Sequence, residues 1–141
     1  MPETLPQLLA QAVTADTGAA IVYGSERLAY RDLEAQSKRA AAGLAAAGIG
    51  VGDRVAFWLP NTPAYLVLYF ACARLGAIAV AVNTRFRASE VEDVLGRTGA
   101  KALIMWPGFR GIDFPGILEG VDRTALGRLE TAILYLSLIH I

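Results

Sequence analysis

The chain has 141 residues, 55% of them hydrophobic, and its 13 basic residues balance 13 acidic ones beside a single histidine. That length suits one domain with a real buried core, and so low a charged fraction excludes a disordered chain. A formal net charge of zero argues against a nucleic-acid or anionic-membrane partner, because either requires a basic field. The lone cysteine, Cys72, cannot form an internal disulfide or a cysteine-based zinc site, and a cytoplasmic location is expected.

Met1-Pro2-Glu3-Thr4 carries no positive charge ahead of the first apolar stretch, so no secretory signal is expected. Residues 64–82 are almost wholly apolar and approach the roughly 20 residues of a spanning helix. Arg74 lies deep inside that stretch and Gly76 just after it, and a charge there costs roughly 2.5–3.5 kcal/mol on insertion scales. A helix that stops at Gly76, followed by a strand, accounts for the same residues, and no transmembrane segment is predicted.

In chain order, Thr4 is placed to cap a helix whose Leu5, Leu8, Leu9, Ala12 and Val13 share one face. Residues 19–23 and 27–30 form a hairpin-like pair around Gly24-Ser25. Residues 31–47 predict a long helix with Leu33, Ala40, Leu44 and Ala47 inward, Glu34 placed to pair with Lys38, and Gly48 as its stop. Residues 54–59 predict a strand covered on both faces. Asn61 or Thr62 then caps a helix with Pro63 in its first turn, running to about residue 75.

A second buried strand is predicted over 77–82. Ser89 with Glu92 predicts a capping box for a helix over 90–98 that Gly99 stops, and 101–105 predicts a third buried strand. Strands alternating with helices across short links imply parallel pairing, hence an α/β fold with a parallel sheet and flanking helices. Residues 106–120 have the character of a Gly- and Pro-punctuated loop, 117–129 predict a short helix, and 131–136 a further strand.

Chemistry-bearing patterns are few. Gly48-Ile49-Gly50-Val51-Gly52 follows a helix and precedes a strand, whereas a phosphate-cradling loop needs the opposite order. Arg85-Phe86-Arg87 lies beyond the carboxyl end of the second long strand, where ligands of open α/β sheets gather; a solvated loop with its phenylalanine in the core is the favoured reading. Glu90, Glu92 and Asp93 suit the dipole of a helix start. Cys72 suits a small buried side chain, and Tyr65, Tyr69 and Phe70 suit core packing. His140 has no visible partner. The residues themselves thus yield a fold class, with no catalytic, cofactor-binding or metal site assigned.

The stretch 28–104 resembles the N-terminal part of the AMP-forming acyl-CoA synthetases, the adenylate-forming, AMP-binding enzymes. The resemblance rests on Leu28-Ala29-Tyr30-Arg31-Asp32-Leu33, Ala42-Gly43-Leu44, Gly48, Gly52-Asp53-Arg54-Val55-Ala56, Leu59-Pro60-Asn61-Thr62-Pro63 and Leu75-Gly76-Ala77. Asn83-Thr84-Arg85 and the residues from Glu90 to Leu95 close the match, and Phe109-Arg110-Gly111-Ile112-Asp113-Phe114 extends it. Ala29 stands where the family often has Thr or Ser, and Ala81 where it often has Pro.

The resemblance implies an incomplete N-terminal portion of the large domain over 1–141, with 136–141 expected to be a non-native tail. It also implies ATP, Mg²⁺ and coenzyme A as cofactors of the complete parent, none of them held by this fragment, and a small-molecule carboxylate as substrate. The family's phosphate loop, ribose-binding aspartate, adenine-stacking aromatic and mobile domain have no match here, so the fragment alone is expected to be inactive. Its open sheet is expected to expose an apolar patch that the missing downstream region would cover. The rival readings are a freestanding flavodoxin-like module that uses Arg85 and Arg87 to bind an anion or nucleotide, and an interaction module.

Overall fold

A computed structural model describes residues 1–15 and 18–135; the predicted tail 136–141 and His140 lie outside the described residues. The chain forms two compact units, Met1–Val51 with Asn61–Ala77, and Gly52–Pro60 with the chain from Ile78 onward.

The first unit holds α1 (Leu5–Ala15), the antiparallel strands β1 (Ala19–Tyr23) and β2 (Glu26–Ala29), α2 (Tyr30–Ala46) and α3 (Pro63–Leu75). The Thr4 hydroxyl accepts from the Gln7 N–H at 3.3 Å, as the capping reading requires. α2 buries Leu33, Ser37, Ala41 and Leu44, a stripe recurring every three or four residues. The predicted face placed Ala47 inward, but Ala47 is exposed and Ser37 is fully buried. α3 buries Ala64, Val67, Leu68, Ala71 and Cys72 along one stripe. Tyr69 is 41% exposed and meets Phe70 edge-on at 6.2 Å, so it is not core as predicted. Thr62 precedes α3 in extended backbone, but its hydroxyl makes no capping bond.

The burial of Ser37 has an electrostatic cause. Arg74 Nε donates to Ser37 Oγ at 2.9 Å, and that hydroxyl donates onward to the Glu34 carbonyl at 2.8 Å. Arg74 Nη2 lies 3.7 Å from Glu34 Oε1, and Lys38 Nζ lies 3.4 Å from the same oxygen. The charge that argued against a membrane span therefore ties α3 to α2. Gly76 ends α3 with φ +69°, and a Cβ there would lie 3.2 Å from Val51 Cγ2, so both backbone and space call for glycine.

The second unit holds β3 (Arg54–Trp58), β4 (Ile78–Ala81), α4 (Ala88–Thr98), β5 (Ala102–Met105), α5 (Phe114–Glu119), a 3₁₀ turn (Arg123–Ala125) and β6 (Thr131–Leu134). The four strands form one parallel sheet in the order β4-β3-β5-β6. Val55 faces Ala79 on one side and Ala102 on the other. From Val55 to Trp58 every residue of β3 is buried, and so is all of β5.

One face of the sheet, through Ala56, Trp58, Leu103 and Met105, packs on Val91 and Leu95 of α4 and Phe114 of α5. Trp58 and Phe114 meet edge-on with centroids 4.6 Å apart, a favoured aromatic geometry.

Four expectations need correction here. Among the described residues β4 is an edge strand, with Ile78 51% exposed, because only β3 pairs with it. The predicted loop 106–120 contains α5, started by Asp113, whose carboxylate accepts the Gly116 N–H at 3.1 Å. The predicted helix over 117–129 is reduced to the end of α5 and the 3₁₀ turn. The capping box at α4 is shifted: the Arg87 N–H donates to Glu90 Oε2 at 2.9 Å, while Glu92 Oε2 accepts from the Asp122 N–H.

Arg74→Met should lower stability by about 1–3 kcal/mol, since it removes a charged hydrogen bond from a largely buried site. Lys38→Ala, which removes an exposed helix pair, should cost no more than about 0.5 kcal/mol. Urea unfolding of the two variants checks the contrast, and equal effects would count against the Arg74 clamp.

Candidate functional site

In an open α/β sheet the place to look is the carboxyl end of the strands, at the loops that follow them. Here that rim consists of the β4–α4 loop over 82–87 and the β5–α5 loop over 106–113. The first is built from backbone acceptors. The Asn83 carbonyl accepts the buried Trp58 Nε1–H at 3.1 Å and the Phe86 N–H at 3.0 Å. The Asn83 side chain accepts the Arg85 N–H at 2.9 Å, closing a local Asx-type turn.

Phe86 then packs against the core, and Arg87 Nη1 folds back onto the carbonyls of Arg85 and Phe86 at 2.9 and 3.1 Å. Arg87 is thus engaged in holding its own loop, and Arg85 points to an exposed surface. Both arginines are exposed, and Phe86 is the residue of the segment that packs inward. Glu90 carries the local negative charge: hydrogen bonds from the Arg87 N–H and its own N–H hold its carboxyl below the ordinary range, and Ser89 and the Arg87 charge act the same way.

The second loop carries a feature that motif reading missed. Phe109 and Ile112 exchange both backbone hydrogen bonds, at 3.1 and 2.9 Å, across the two-residue turn Arg110-Gly111. Both turn residues have positive φ, +50° and +78°, as a tight type I′ turn demands. Trp106 meets the Phe109 ring edge-on at 6.3 Å, and the Arg110 guanidinium lies 5.1 Å over that ring, within cation–π range. Two bulky aromatics around Pro107-Gly108 were the only trace of it in the sequence. The rim therefore offers an aromatic surface and three arginines, Arg85, Arg87 and Arg110.

Among the described residues no three His, Cys, Asp or Glu side chains converge as a metal site. The glycines at 48 and 52 adopt φ +90° and +78° as a helix stop and a turn. Those glycines therefore do not form a phosphate-cradling loop. Cys72 is 1% exposed, and burial pushes its thiol up to about 12. No helix among the described residues is long and apolar enough to cross a membrane.

Comparison with known proteins fits this geometry. The description "AMP-binding enzyme" belongs to the family whose profile matches residues 9–135. A feruloyl-CoA synthase from Amycolatopsis sp. is 43% identical over 88 residues, covering 62% of this chain and 18% of that protein. A mitochondrial medium-chain acyl-CoA ligase from Rattus norvegicus is 36% identical over 101 residues, covering 72% and 16%. The solved structure of a Mycobacterium tuberculosis fatty acyl CoA synthetase superposes with a TM-score of 0.83 at 30% identity, covering 97% of this chain and 27% of that one. The chain spans about a fifth of the length of the curated relatives it matches.

Two outcomes are expected of the titratable groups. Cys72 should resist an aromatic disulfide reagent at mildly alkaline pH in the native state and react at an ordinary thiol rate in concentrated urea; rapid native labelling would contradict its burial. Because the Glu90 pKa is lower folded than unfolded, its stabilising contribution is present above the unfolded value. It is lost as pH falls through the depressed one. The stability gap between the parent chain and Glu90→Gln should therefore be constant near neutrality and close in acid, as read by urea titrations across pH.

Proposed function

The chain belongs to the AMP-binding enzyme family, and from that premise we propose that it is the N-terminal part of the large domain of an AMP-forming acyl-CoA synthetase. The complete protein would be an acid–thiol ligase. In that reading a carboxylate attacks ATP to give an acyl-adenylate, and coenzyme A then takes the acyl group as a thioester.

The observation that carries the reading is the pair of coverages against the Mycobacterium tuberculosis structure: nearly all of this chain superposes on about a quarter of that one. The relatives include a feruloyl-CoA synthase and medium-chain and long-chain acyl-CoA ligases, which supports a carboxylic acid, with fatty acids among the candidates, as the substrate class. The residues described here would act as scaffold. β3 and β5 form a rigid base, and the rim loops meet segments supplied further along the parent chain. The exposed edges at Ile78 and Leu134 are where those segments would lie, and a cytoplasmic location suits the single buried thiol.

The test is a chimera in which residues 1–135 replace the matching part of the rat mitochondrial ligase. With ATP, Mg²⁺, a medium-chain acid and coenzyme A, the chimera should form acyl-CoA while this chain alone forms none. Thioester formation by the chain alone, or a folded chimera that makes no adenylate, would overturn the proposal.

A further inference from the structure

The other end of the sheet, where the strands begin, holds a charge arrangement that the reading above does not use. Arg54 opens β3, and three carbonyls fix its guanidinium: Nε donates to Thr98 O at 2.7 Å, Nη1 to Gly52 O at 3.1 Å and Nη2 to Gly99 O at 3.3 Å. A guanidinium has five N–H groups, so two stay available on a plane already held in place.

Arg128 approaches the same spot. A Cβ built on Gly99 would lie 3.0 Å from Arg54 Nη2 and 3.3 Å from Arg128 Cδ, so both arginines converge over a glycine whose φ is +61°. Among the described residues neither arginine is paired with a carboxylate. Asp53 Oδ2 is held by Lys101 Nζ at 3.1 Å, and Glu130, on the same wall, is within ion-pair distance of neither arginine. A cavity of about 300 Å³ opens between these side chains.

Two cationic side chains that meet over one glycine repel each other, and an anion between them reverses the sign of the interaction. A planar carboxylate is filled by one guanidinium fork, whereas a tetrahedral oxyanion presents edges to two. We infer that this cleft, formed by Arg54 and Arg128 over Gly99, binds a phosphate group. Arg54 is the pre-set half of the clamp and Arg128 the half that closes on the ligand. Glu130 opposes the bound charge. The site lies at the end of the sheet away from the rim and stands independently of the acyl-CoA reading.

The full chain, labelled with ¹⁵N-arginine, is titrated with inorganic phosphate and separately with AMP, at constant ionic strength, while the Nε–H resonances are followed by NMR. Saturable shifts of the Arg54 and Arg128 signals are expected. Arg128→Gln should weaken binding about tenfold, as loss of a bidentate charge-assisted pair implies, and Glu130→Gln should tighten it. Arg97→Gln, on an exposed helix pair with Asp93, should change nothing.

Saturation by phosphate but not AMP assigns a free anion, and saturation by AMP at equal or greater strength assigns a phosphate monoester. Shifts linear in ligand, or equal in the Arg128→Gln protein with its circular dichroism unchanged, would overturn the inference.

Discussion

β3 is hydrogen-bonded along both edges and buried through four consecutive side chains, Val55 to Trp58. A strand in that position cannot be polar on alternate residues, because neither face meets water. Its neighbours are fixed by the same constraint. β5 shares its burial, while β4 and β6 flank the pair and show the mixed exposure of edges. Trp58 extends the strand's influence beyond the sheet: its ring meets Phe114 of α5, and its N–H anchors the Asn83 carbonyl that begins the rim loop. Loop position, helix position and sheet order thus share one residue.

Legibility from sequence followed the physical range of each signal. Periodicity and punctuation are local, so helices ending at Gly48, Gly76 and Gly99 and strands of unbroken apolar residues could be read directly. Whether a strand is central or at an edge depends on partners far along the chain, and for that reason 77–82 looked as buried as 54–59. α5 escaped notice because six residues opened by Phe114-Pro115-Gly116 carry no helical period, and its start is set by a single Asp113 side chain. Ser37 does not belong to the inward face predicted for 31–47, because only Arg74, a distant residue, makes burying its hydroxyl favourable. The position of the rim follows from the topology, but the Trp106–Phe109–Arg110 cluster depends on a turn whose two positive φ angles no residue pattern announced.

Arginine is used here in four distinct ways, and sequence position alone separates none of them. Arg74 joins two helices through a buried hydroxyl, and Arg87 braces its own loop. Arg110 lies over an aromatic face, and Arg54 gathers the carbonyls at the end of α4. The common factor is a planar group with several donors and a charge that persists at every pH of interest. In a chain of zero net charge, these cations act locally instead of building a long-range field.

The parallel order of the sheet also bears on how the polypeptide is made. β3 is the first of the four strands to leave the ribosome, yet its two ladder partners are synthesised only later, the second of them after α4. During that interval a strand whose residues from Val55 to Trp58 are all buried in the fold stands unpaired with both edges open, a situation that favours intermolecular pairing. Arg54 at its start and Pro60 just beyond its end flank the segment as gatekeepers, of the kind that hold back aggregation in nascent chains until the native neighbours arrive.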